Sequence, residues 1–498
     1  MNRNPILWTD GYKLCHKDQY PEGVNRVYET WTPRMSRIEG VTHVVFFGLQ
    51  GALAEITQAF DEHFFAKPEE QVTADYLEAV ENVFIRTNPH FAQSHDAGHI
   101  SELHRLGYLP IRIKSLPEGS FTPIGVPMFT IENTHPHFAW LPGYLETQLS
   151  SYIWAAMTSA TIADLYKRIL CRYAALTSDP TRVFMQAGDF SMRGMSAPEG
   201  AYRVAAGHLL SFGVSATVAV REYLKTHYAS GKDVLAYTPS TEHSVMCSYG
   251  EHEVEAFQHL ITRVYPSGNI SIVSDTYDLW NVVDYVLPQI RDIVMNREGK
   301  VVIRPDSGEP VDIICGDEAS DRETIRKGIV ERLYEIFGGS VNAKGYKELD
   351  PHIGVIYGDS ITPDRARRIS EGLMKKGFAS TNTSLGIGSY TYQYVTRDTF
   401  GFALKGTAEE VDGVFKAIQK RPATDTGNFK TSQRGLVAVV FRDNDYRLID
   451  DLNPVSIRDL EDINLLKDFF VDSKFIYTQS FDEIRERVAD ESKRVYFN

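Results

Sequence analysis

Short apolar runs that end in polar or glycine-containing clusters recur through the middle of the chain. Each run predicts a β-strand, and the cluster after it predicts a loop at the carboxyl end of that strand. The runs and the residues that follow them are "RVFMQA" before Gly188, "DVLAY" before Thr238, "ISIV" before Ser274 and Asp275, "VVI" before Arg304, Pro305 and Asp306, and "IGVIY" before Gly358 and Asp359.

The segments between these runs have helical spacing. In "ITPDRARRISEGLMKKG", Thr362 is the predicted N-cap, Pro363 the first helical residue and Gly377 the stop. Apolar residues between 325 and 336 also follow helical spacing and end before Gly338. Repeated strand, loop and helix imply parallel strands joined by helical crossovers, so we expect an irregular (β/α) barrel with its polar clusters on one face.

The two ends of the chain show a different pattern. "RVYETWTPRM", "HVVFFGLQ", "FTPIGVPMFTIEN" and "GLVAVVFRDNDYRLID" predict antiparallel strands, with a turn at 443–445. We therefore expect an α/β protein in which residues 146–390 form the barrel. Residues 1–145 and 391–498 are expected to form an α+β domain with an antiparallel sheet built from both termini.

Composition and charge narrow the class of protein. The 498 residues are 43% apolar and 24% charged, as in ordinary globular proteins. A net charge of −14 argues against a general nucleic-acid or anionic-membrane binder, so an anionic ligand must be held by local clusters. The four cysteines lack CxxC spacing, and no apolar segment reaches signal-peptide or membrane-spanning length. We expect a cytoplasmic protein with reduced thiols and small-molecule substrates.

Several polar residues after the predicted strands are candidates for chemistry. Asp306 and Asp359 could together bind ribose hydroxyls or act in acid/base catalysis, although each alone also fits a turn or a helix cap. The "PDSG" of "VVIRPDSGEP" has the proline and glycine of a β-turn. His243 follows a predicted strand and could exchange a proton or accept a phosphoryl group.

Other candidates concern anions. Gly388 and Ser389, in "GIGSYTYQYVTRD", could cradle a phosphate through backbone N–H groups, although the segment matches neither the Walker nor the dinucleotide pattern. Arg193 and Arg304 could bind phosphate or pyrophosphate, although surface ion pairs are commoner for arginine. Because no cluster has metal-ligand spacing, a metal is expected to arrive with phosphates, as Mg²⁺ does.

A set of segments in order resembles one family. "TDGYKLCHKDQYP", "GDFSMRG", "PSTEHS", "SIVSDTYD", "VVIRPDSGEP", "VIYGDS", "GIGSYTYQYVTRD" and "SKFIYTQSFDEIRE" are similar to the nicotinamide phosphoribosyltransferases, the larger type II phosphoribosyltransferases, from about residue 8 to about residue 490. The resemblance implies transfer of phosphoribose from 5-phosphoribosyl 1-pyrophosphate to nicotinamide in NAD salvage, releasing pyrophosphate. It also implies Mg²⁺ with that substrate, ATP as a coupling substrate, and a head-to-tail homodimer with active sites at the interface.

The resemblance also implies roles for single residues. Phe190 would stack on the pyridine ring, with Tyr12 of the other subunit on the opposite face. His243 would be phosphorylated by ATP, and Asp278 would orient it. Asp306, Gly358 and Asp359 would bind the ribose hydroxyls, and Arg304 would border the base and the ribose. Asp10 and Ser274 are implied as further substrate-binding residues. Those implied at the phosphates are Gly388, Ser389 and Arg193 and, largely across the dimer interface, Arg34, Arg397, Lys405 and Lys416.

The sequence departs from the family pattern at the base. Gly188 stands where members commonly have histidine. In "SATVAV", Ala216, with Ser215 beside it, stands where they have an aspartate that binds the carboxamide. Because a carboxylate there would repel nicotinate, its absence makes nicotinate an alternative base. More distant alternatives are a barrel hydrolase with Asp306 and Asp359 as paired carboxylates, and a non-catalytic binding protein of the same fold.

Overall fold

The computed structural model describes residues 3–358, 360–424 and 431–496. Within the chain, two compact units can be distinguished. The first comprises Met1–Thr161, Tyr223–Ser230 and Thr396–Asn498, and the second comprises Ile162–Glu222 and Gly231–Val395. The units divide after Thr161 and Val395, close to the boundaries predicted after residues 145 and 390. The predicted boundaries themselves stay predictions. Across the described ranges, no helix is both long enough and apolar enough to cross a membrane.

A seven-stranded antiparallel sheet forms the framework of the first unit. Its strand Val24–Thr32 pairs with Ala403–Val411 on one side and with Phe129–Asn133 on the other. The sheet therefore combines strands from both ends of the chain, which confirms the predicted α+β architecture. In sheet order its strands are Val414–Ala417, Ala403–Val411, Val24–Thr32, Phe129–Asn133, Ile111–Ser115, Lys467–Val471 and Lys474–Phe475.

Two small antiparallel sheets and several helices complete the first unit. Leu436–Arg442 and Asp445–Leu452 form a hairpin, and Asp443 and Asn444 between them have φ angles of 52° and 58°, as a two-residue hairpin turn requires. The other small sheet pairs His43–Val45 with Phe121–Pro123. The α-helices are Leu49–Phe60, Glu69–Phe84, Pro89–Ser94, Gly98–Leu106, Leu141–Tyr144 and Phe481–Tyr496.

The second unit contains a curled six-stranded parallel sheet. Its edge strands both bridge to the segment 236–240, through Val214 with Ala236 and through Ser271 with Ser240. This closing segment links the two edges, and the predicted irregular (β/α) barrel is confirmed. In sheet order the strands are Val214–Ser215, Ala187–Asp189, Thr383–Ile387, Ile353–Tyr357, Val301–Arg304 and Ile270–Val273.

Helices cover this sheet, and the best-defined ones follow the sequence signals. Thr362 accepts a hydrogen bond from the N–H of Arg365 at 3.2 Å, and the helix Pro363–Lys375 ends before Gly377, whose φ is 74°. That predicted cap and stop are confirmed. The α-helices here are Glu146–Thr177 and Ala219–Tyr228, which both units share, with Pro198–Leu209, His243–Cys247, Glu253–His259, Leu279–Asn281, Leu287–Asn296, Pro310–Cys315, Glu323–Phe337, Pro363–Lys375 and Ser389–Tyr392.

Candidate active site

A cavity of about 810 Å³ lies in the second unit, beside the carboxyl ends of its parallel strands. The loops that follow successive strands supply its walls, because parallel strands bring their carboxyl ends to one edge of the sheet. Its lining also includes residues that were not predicted from the sequence: Met192, Tyr237, Glu242 and Ser244. The predicted residues that line it are Phe190, Arg193, Ala216, His243, Arg304, Asp306, Gly358, Gly388 and Ser389.

The segment "RPDSG" bends sharply after the strand Val301–Arg304. Gly308 has a φ of 93°, and the Tyr357 hydroxyl donates to its carbonyl at 2.8 Å. The N–H of Asp306 and the hydroxyl of Ser307 both donate to Oδ2 of Asp275, at 2.9 and 2.6 Å. The bend is therefore fixed from both sides, and it presents the Asp306 carboxylate to the cavity.

His243 begins the helix His243–Cys247 at the cavity wall. Its Nδ1 lies 3.1 Å from the Thr276 hydroxyl. Its Nε2 lies 4.0 Å from Oδ1 of Asp275 and 3.9 Å from Oδ2 of Asp306. With 47% of its side chain exposed, the imidazole can meet a ligand while two carboxylates lie within ion-pair distance.

Asp278 was predicted to orient His243, but in the structure it contacts other residues. Its carboxylate accepts a hydrogen bond from the N–H of Trp280 at 2.8 Å and so caps the helix Leu279–Asn281. Arg322 lies 3.6 Å from its other oxygen. Asp278 makes no hydrogen bond or ion pair with His243 among the described residues.

Asp275, by contrast, was not predicted as a site residue, although it follows a strand in the same way as Asp306. The preceding residue, Ser274, was predicted to contact substrate. Ser274 is buried, and its hydroxyl donates to the carbonyl of Ile272 at 2.7 Å. The structure thus places the second residue of this pair, rather than the first, beside His243.

Phe190 and Tyr237 form an aromatic corner of the cavity. Their ring centroids are 5.9 Å apart and the planes meet at 71°. A Cβ atom on Gly386 would lie 2.7 Å from Cδ2 of Phe190 and 2.8 Å from the carbonyl oxygen of Gly358. The backbone at Gly386 therefore packs closely against the Phe190 ring. This corner can hold a flat aromatic ligand.

A buried hydrogen-bond network sets the orientation of the segment "SAT". The carboxylate of Asp189 is fully buried and accepts from the hydroxyls of Ser215 and Thr217 at 2.8 and 2.9 Å. It also accepts from the N–H and the hydroxyl of Ser191, at 3.0 and 2.6 Å. Ser215 is thus turned inward, while Ala216 between the two hydroxyl residues lines the cavity.

Gly188 also has a structural explanation. A Cβ atom at this position would lie 2.9 Å from Cγ1 of Val214 and 3.4 Å from the Phe190 ring. Those two side chains fill the space that a larger residue at 188 would need.

Another part of the cavity wall suits an anion. A Cβ atom on Gly194 would lie 2.0 Å from Oγ of Ser389, so the loop that carries Arg193 packs directly on Ser389. Nothing lies within 4 Å of a Cβ position on Gly388, which leaves that backbone open to a ligand. In the described part of the chain, the buried Nε of Arg304 has no hydrogen-bond partner. Two guanidinium groups and an open loop are therefore available to phosphate oxygens.

Three predicted residues lie together in the first unit. Asp10, Tyr12 and Arg397 line a separate cavity of about 240 Å³, which Glu146 also lines. Asp10 accepts a hydrogen bond from the Thr147 hydroxyl at 2.7 Å, and Tyr12 is 55% exposed. An exposed aromatic face next to an arginine is thus available on this unit.

Lys405 belongs to a charged cluster near that cavity. Its Nζ lies 3.1 Å from Oε1 of Glu146, whose Oε2 lies 2.7 Å from Nζ of the buried Lys13. Although burial acts in the opposite direction, the two lysines lower the pKa of Glu146. Burial, with the nearby Glu146 charge, raises the pKa of Glu29 to about 7.

The remaining predicted residues are dispersed. Arg34 lines a third cavity, of about 400 Å³, in the first unit, and its Nε donates to the carbonyl of Gly401 at 2.8 Å. Lys416 is exposed on the strand Val414–Ala417. Asp359 lies outside the described residues, so its predicted role stays a prediction.

Comparisons with known proteins agree with the architecture. Residues 185–474 match the nicotinate phosphoribosyltransferase (NAPRTase) family, and residues 4–113 match the nicotinamide phosphoribosyltransferase N-terminal domain. The chain is 42% identical over 504 residues to a nicotinamide phosphoribosyltransferase of Acinetobacter baylyi, covering 98% of this chain and 97% of that protein. It is 35% identical over 432 residues to a nicotinamide phosphoribosyltransferase of Mycoplasma pneumoniae, covering 84% of this chain and 92% of that protein.

Two solved structures share the fold. Nicotinate-nucleotide pyrophosphorylase from Pyrococcus furiosus superposes with a TM-score of 0.59 at 16% identity, covering 99% of this chain and 96% of that chain. Human nicotinic acid phosphoribosyltransferase superposes with a TM-score of 0.57 at 16% identity, covering 98% and 94%. The resemblance seen in the sequence is confirmed: the chain is an enzyme that belongs to the nicotinate and nicotinamide phosphoribosyltransferase family.

Proposed function

We propose that this enzyme transfers phosphoribose from 5-phosphoribosyl 1-pyrophosphate to nicotinamide in NAD salvage in the cytoplasm, giving nicotinamide mononucleotide and pyrophosphate. One observation carries the proposal: an aromatic corner, a carboxylate and an open glycine loop with arginines line a single cavity. These suit the base, the ribose and the phosphates of one substrate pair. The names of the curated relatives support nicotinamide as the base.

In the proposed reaction, the ring nitrogen of the base bonds to C1 of the ribose while the bond from C1 to the pyrophosphate oxygen breaks. The electron pair leaves with pyrophosphate. Stacking on Phe190 would hold the base in line with C1, and Asp306 would accept hydrogen bonds from ribose hydroxyls. Arg193 and Arg304 would stabilise the leaving group as it gains negative charge.

Mg²⁺ is expected to enter with the diphosphate. Among the described residues, no group of three or more histidine, cysteine or acidic side chains could hold a metal ion. The ion would be held mainly by phosphate oxygens and water, and Asp306, which lines the cavity, would accept hydrogen bonds from that water. The ion would neutralise charge on the leaving pyrophosphate.

Nicotinate is the second candidate base because Ala216, not an acidic residue, lines the cavity where an aspartate would select the amide. Pyrophosphate release with each base, under saturating 5-phosphoribosyl 1-pyrophosphate and Mg²⁺, decides between them. A higher kcat/KM for nicotinate would overturn the choice of nicotinamide. No release with either base would overturn the transferase and favour a hydrolase or a binding protein.

The first prediction concerns Ala216→Asp. Because Ala216 lines the cavity, a carboxylate there would repel the nicotinate anion and accept a hydrogen bond from the carboxamide. We expect the ratio of kcat/KM for nicotinamide over nicotinate to rise by about tenfold or more. Val218→Asp is the matched control, since Val218 is 80% exposed, and it should leave the ratio unchanged. An unchanged ratio in Ala216→Asp would place the base elsewhere.

We also propose that His243 accepts a phosphoryl group from ATP. An imidazole nitrogen would bond to the γ-phosphorus as the bond to ADP breaks, and water would later release phosphate from the ring. The exposure of His243 at the cavity wall supports this role. Coupling to ATP hydrolysis in this way would strengthen the binding of 5-phosphoribosyl 1-pyrophosphate.

The second prediction tests that role. His243→Ala should abolish ATP hydrolysis and the stimulation of transfer by ATP, while slow ATP-independent transfer persists. Both rates are measured on the same preparation. His252→Ala is the control, because His252 is exposed and its ring lies 3.6 Å from Glu255 rather than in the cavity. ATP hydrolysis at the wild-type rate in His243→Ala would refute the phosphohistidine.

A further inference from the structure

The aromatic corner of the cavity contains a neutral polar group that the proposed reaction does not use, the hydroxyl of Tyr237. Tyr237 lines the cavity, and 45% of the residue is exposed. Its hydroxyl makes no hydrogen bond with any residue in the described ranges. Because a tyrosine hydroxyl can both donate and accept a hydrogen bond, this group is available to a ligand in the cavity.

The backbone holds Tyr237 beside Ala216. The preceding residue, Ala236, bridges to Val214, and its carbonyl accepts a hydrogen bond from the N–H of Ser215 at 3.3 Å. Tyr237 and Ala216 therefore each lie within two residues of the same bridge. Both line the cavity, so the phenol is near the position where a carboxylate would select the amide.

The hydroxyl groups on either side of Ala216 are already used. Ser215 and Thr217 both donate to the buried carboxylate of Asp189, at 2.8 and 2.9 Å. Ala216 itself has no polar side-chain atom. A polar substituent on a ligand in this corner would therefore find its hydrogen-bond partner in Tyr237.

The orientation of the Tyr237 ring suits contact with the edge of a base. The planes of Phe190 and Tyr237 meet at 71°, with ring centroids 5.9 Å apart. A pyridine stacked on Phe190 would lie parallel to that ring, so Tyr237 would be steeply inclined to the base and could not stack on it as well. The exocyclic carbonyl of nicotinamide or nicotinate projects from the edge of the pyridine ring.

We propose that Tyr237 is a specificity-determining residue whose hydroxyl donates a hydrogen bond to the exocyclic carbonyl oxygen of the pyridine base. The inference rests on the proposed function, because it names the group that recognises the base in that reaction. A neutral donor serves a carboxamide and a carboxylate alike, since each presents an oxygen that accepts. A pyridine without this oxygen should bind more weakly, because it leaves the hydroxyl without that partner.

Tyr237→Phe tests the proposal, since it keeps the ring and its contact with Phe190 and removes only the hydroxyl. Two probes separate the hydroxyl from the ring. Benzamide keeps the carboxamide but lacks the ring nitrogen, whereas 3-methylpyridine keeps the nitrogen but lacks the carbonyl. The inhibition constant Ki of each probe is measured against formation of nicotinamide mononucleotide, together with kcat/KM for nicotinamide.

We expect Tyr237→Phe to raise Ki for benzamide about fivefold and to lower kcat/KM for nicotinamide by a similar factor, because one hydrogen bond is lost. Ki for 3-methylpyridine should stay within about twofold of wild type. A ring that served only in packing would leave both Ki values unchanged or, if it moved, raise both by the same factor. Either of these results would overturn the inference.

Tyr285→Phe is the matched control. Tyr285 is 61% exposed and is not among the residues that line the cavity, so this variant should behave as wild type in every assay. Tyr237→Ala removes the ring as well and should raise both Ki values; an unchanged Ki for benzamide in that variant would also overturn the inference. Failure of the proposed function is distinct, since it would appear as no pyrophosphate release by the wild-type enzyme with either base.

Discussion

At the scale of single residues, the contact between Gly386 and Phe190 sets the position of the aromatic corner. A Cβ atom on Gly386 would come within 3.0 Å of both the Phe190 ring and the Gly358 carbonyl oxygen, and the latter is backbone. Backbone cannot rotate away as a side chain can, so the ring would have to move. The stacking surface for the base would move with it.

The third prediction of transfer activity follows from this contact. Gly386→Ala should raise KM for the pyridine base by about tenfold, because a ring displaced by a fraction of an ångström stacks poorly. Gly200→Ala is the control. A Cβ on Gly200, in the helix Pro198–Leu209, meets nothing within 4 Å, and alanine favours a helix. A folded Gly386→Ala enzyme with wild-type KM would show that this contact does not fix the ring.

The sequence identified strand-end residues better than it identified which neighbour faces the cavity. Phe190, His243 and Asp306 line the cavity as predicted, because each follows an apolar run. In the pair Ser274 and Asp275, however, only the second lies beside His243. Successive side chains in extended backbone point to opposite sides, so only one of two neighbouring residues can face His243. Which of the two does so is set by how the segment pairs with the rest of the fold. That choice depends on hydrogen bonds to residues about thirty positions away, which local pattern does not show.

At the scale of secondary structure elements, strong local signals gave correct elements. The strand Ile353–Tyr357, the helix Pro363–Lys375 and the hairpin at Asp443 and Asn444 lie where the sequence predicts them. Each combines an apolar period with a cap or turn residue that acts within a few positions. Such elements are determined almost entirely by their own residues.

Elements with conflicting signals were predicted less well. "RVFMQA" was predicted as a strand, but Pro180–Met185 is a 3₁₀ helix whose first turn Asp179 caps, and the strand begins only at Ala187. "DVLAY" contributes an isolated bridge at Ala236 rather than a strand. Thr383–Ile387 is a strand, although the only prediction for this part of the sequence was a glycine-rich loop. Local capping decided the first case, whereas pairing with distant strands decided the other two.

At the scale of the whole molecule, the predicted site residues fall into two sets. One set lines the cavity of the second unit, and the other, which includes Tyr12 and Arg397, belongs to the first unit. We propose that the enzyme is a homodimer in which the first unit of one subunit completes the cavity of its partner. The exposed Tyr12 ring and the basic residues of the first unit support this proposal.

A mixing experiment tests the homodimer. Tyr12→Ala and Phe190→Ala should each be nearly inactive, but coexpressed subunits should recover about a quarter of wild-type activity, because half the dimers carry one intact site. The control pair, Phe190→Ala with His243→Ala, should not recover ATP-stimulated activity, since both changes lie in the same unit. A monomer by light scattering, or no recovery in the first mixture, would contradict the proposal.

The closing segment 236–240 has a consequence for how this enzyme can be altered. It joins both edges of the curled sheet, carries Tyr237 of the aromatic corner, and leads within a few residues to His243. The bridges at Ala236 and Ser240 fix both ends of this segment. Inserting or deleting one residue there would therefore displace the sheet edges, Tyr237 and His243 together. Variants with new base preferences should therefore be sought among side-chain replacements at constant length, and the segment is unsuitable for grafted tags or reporter loops.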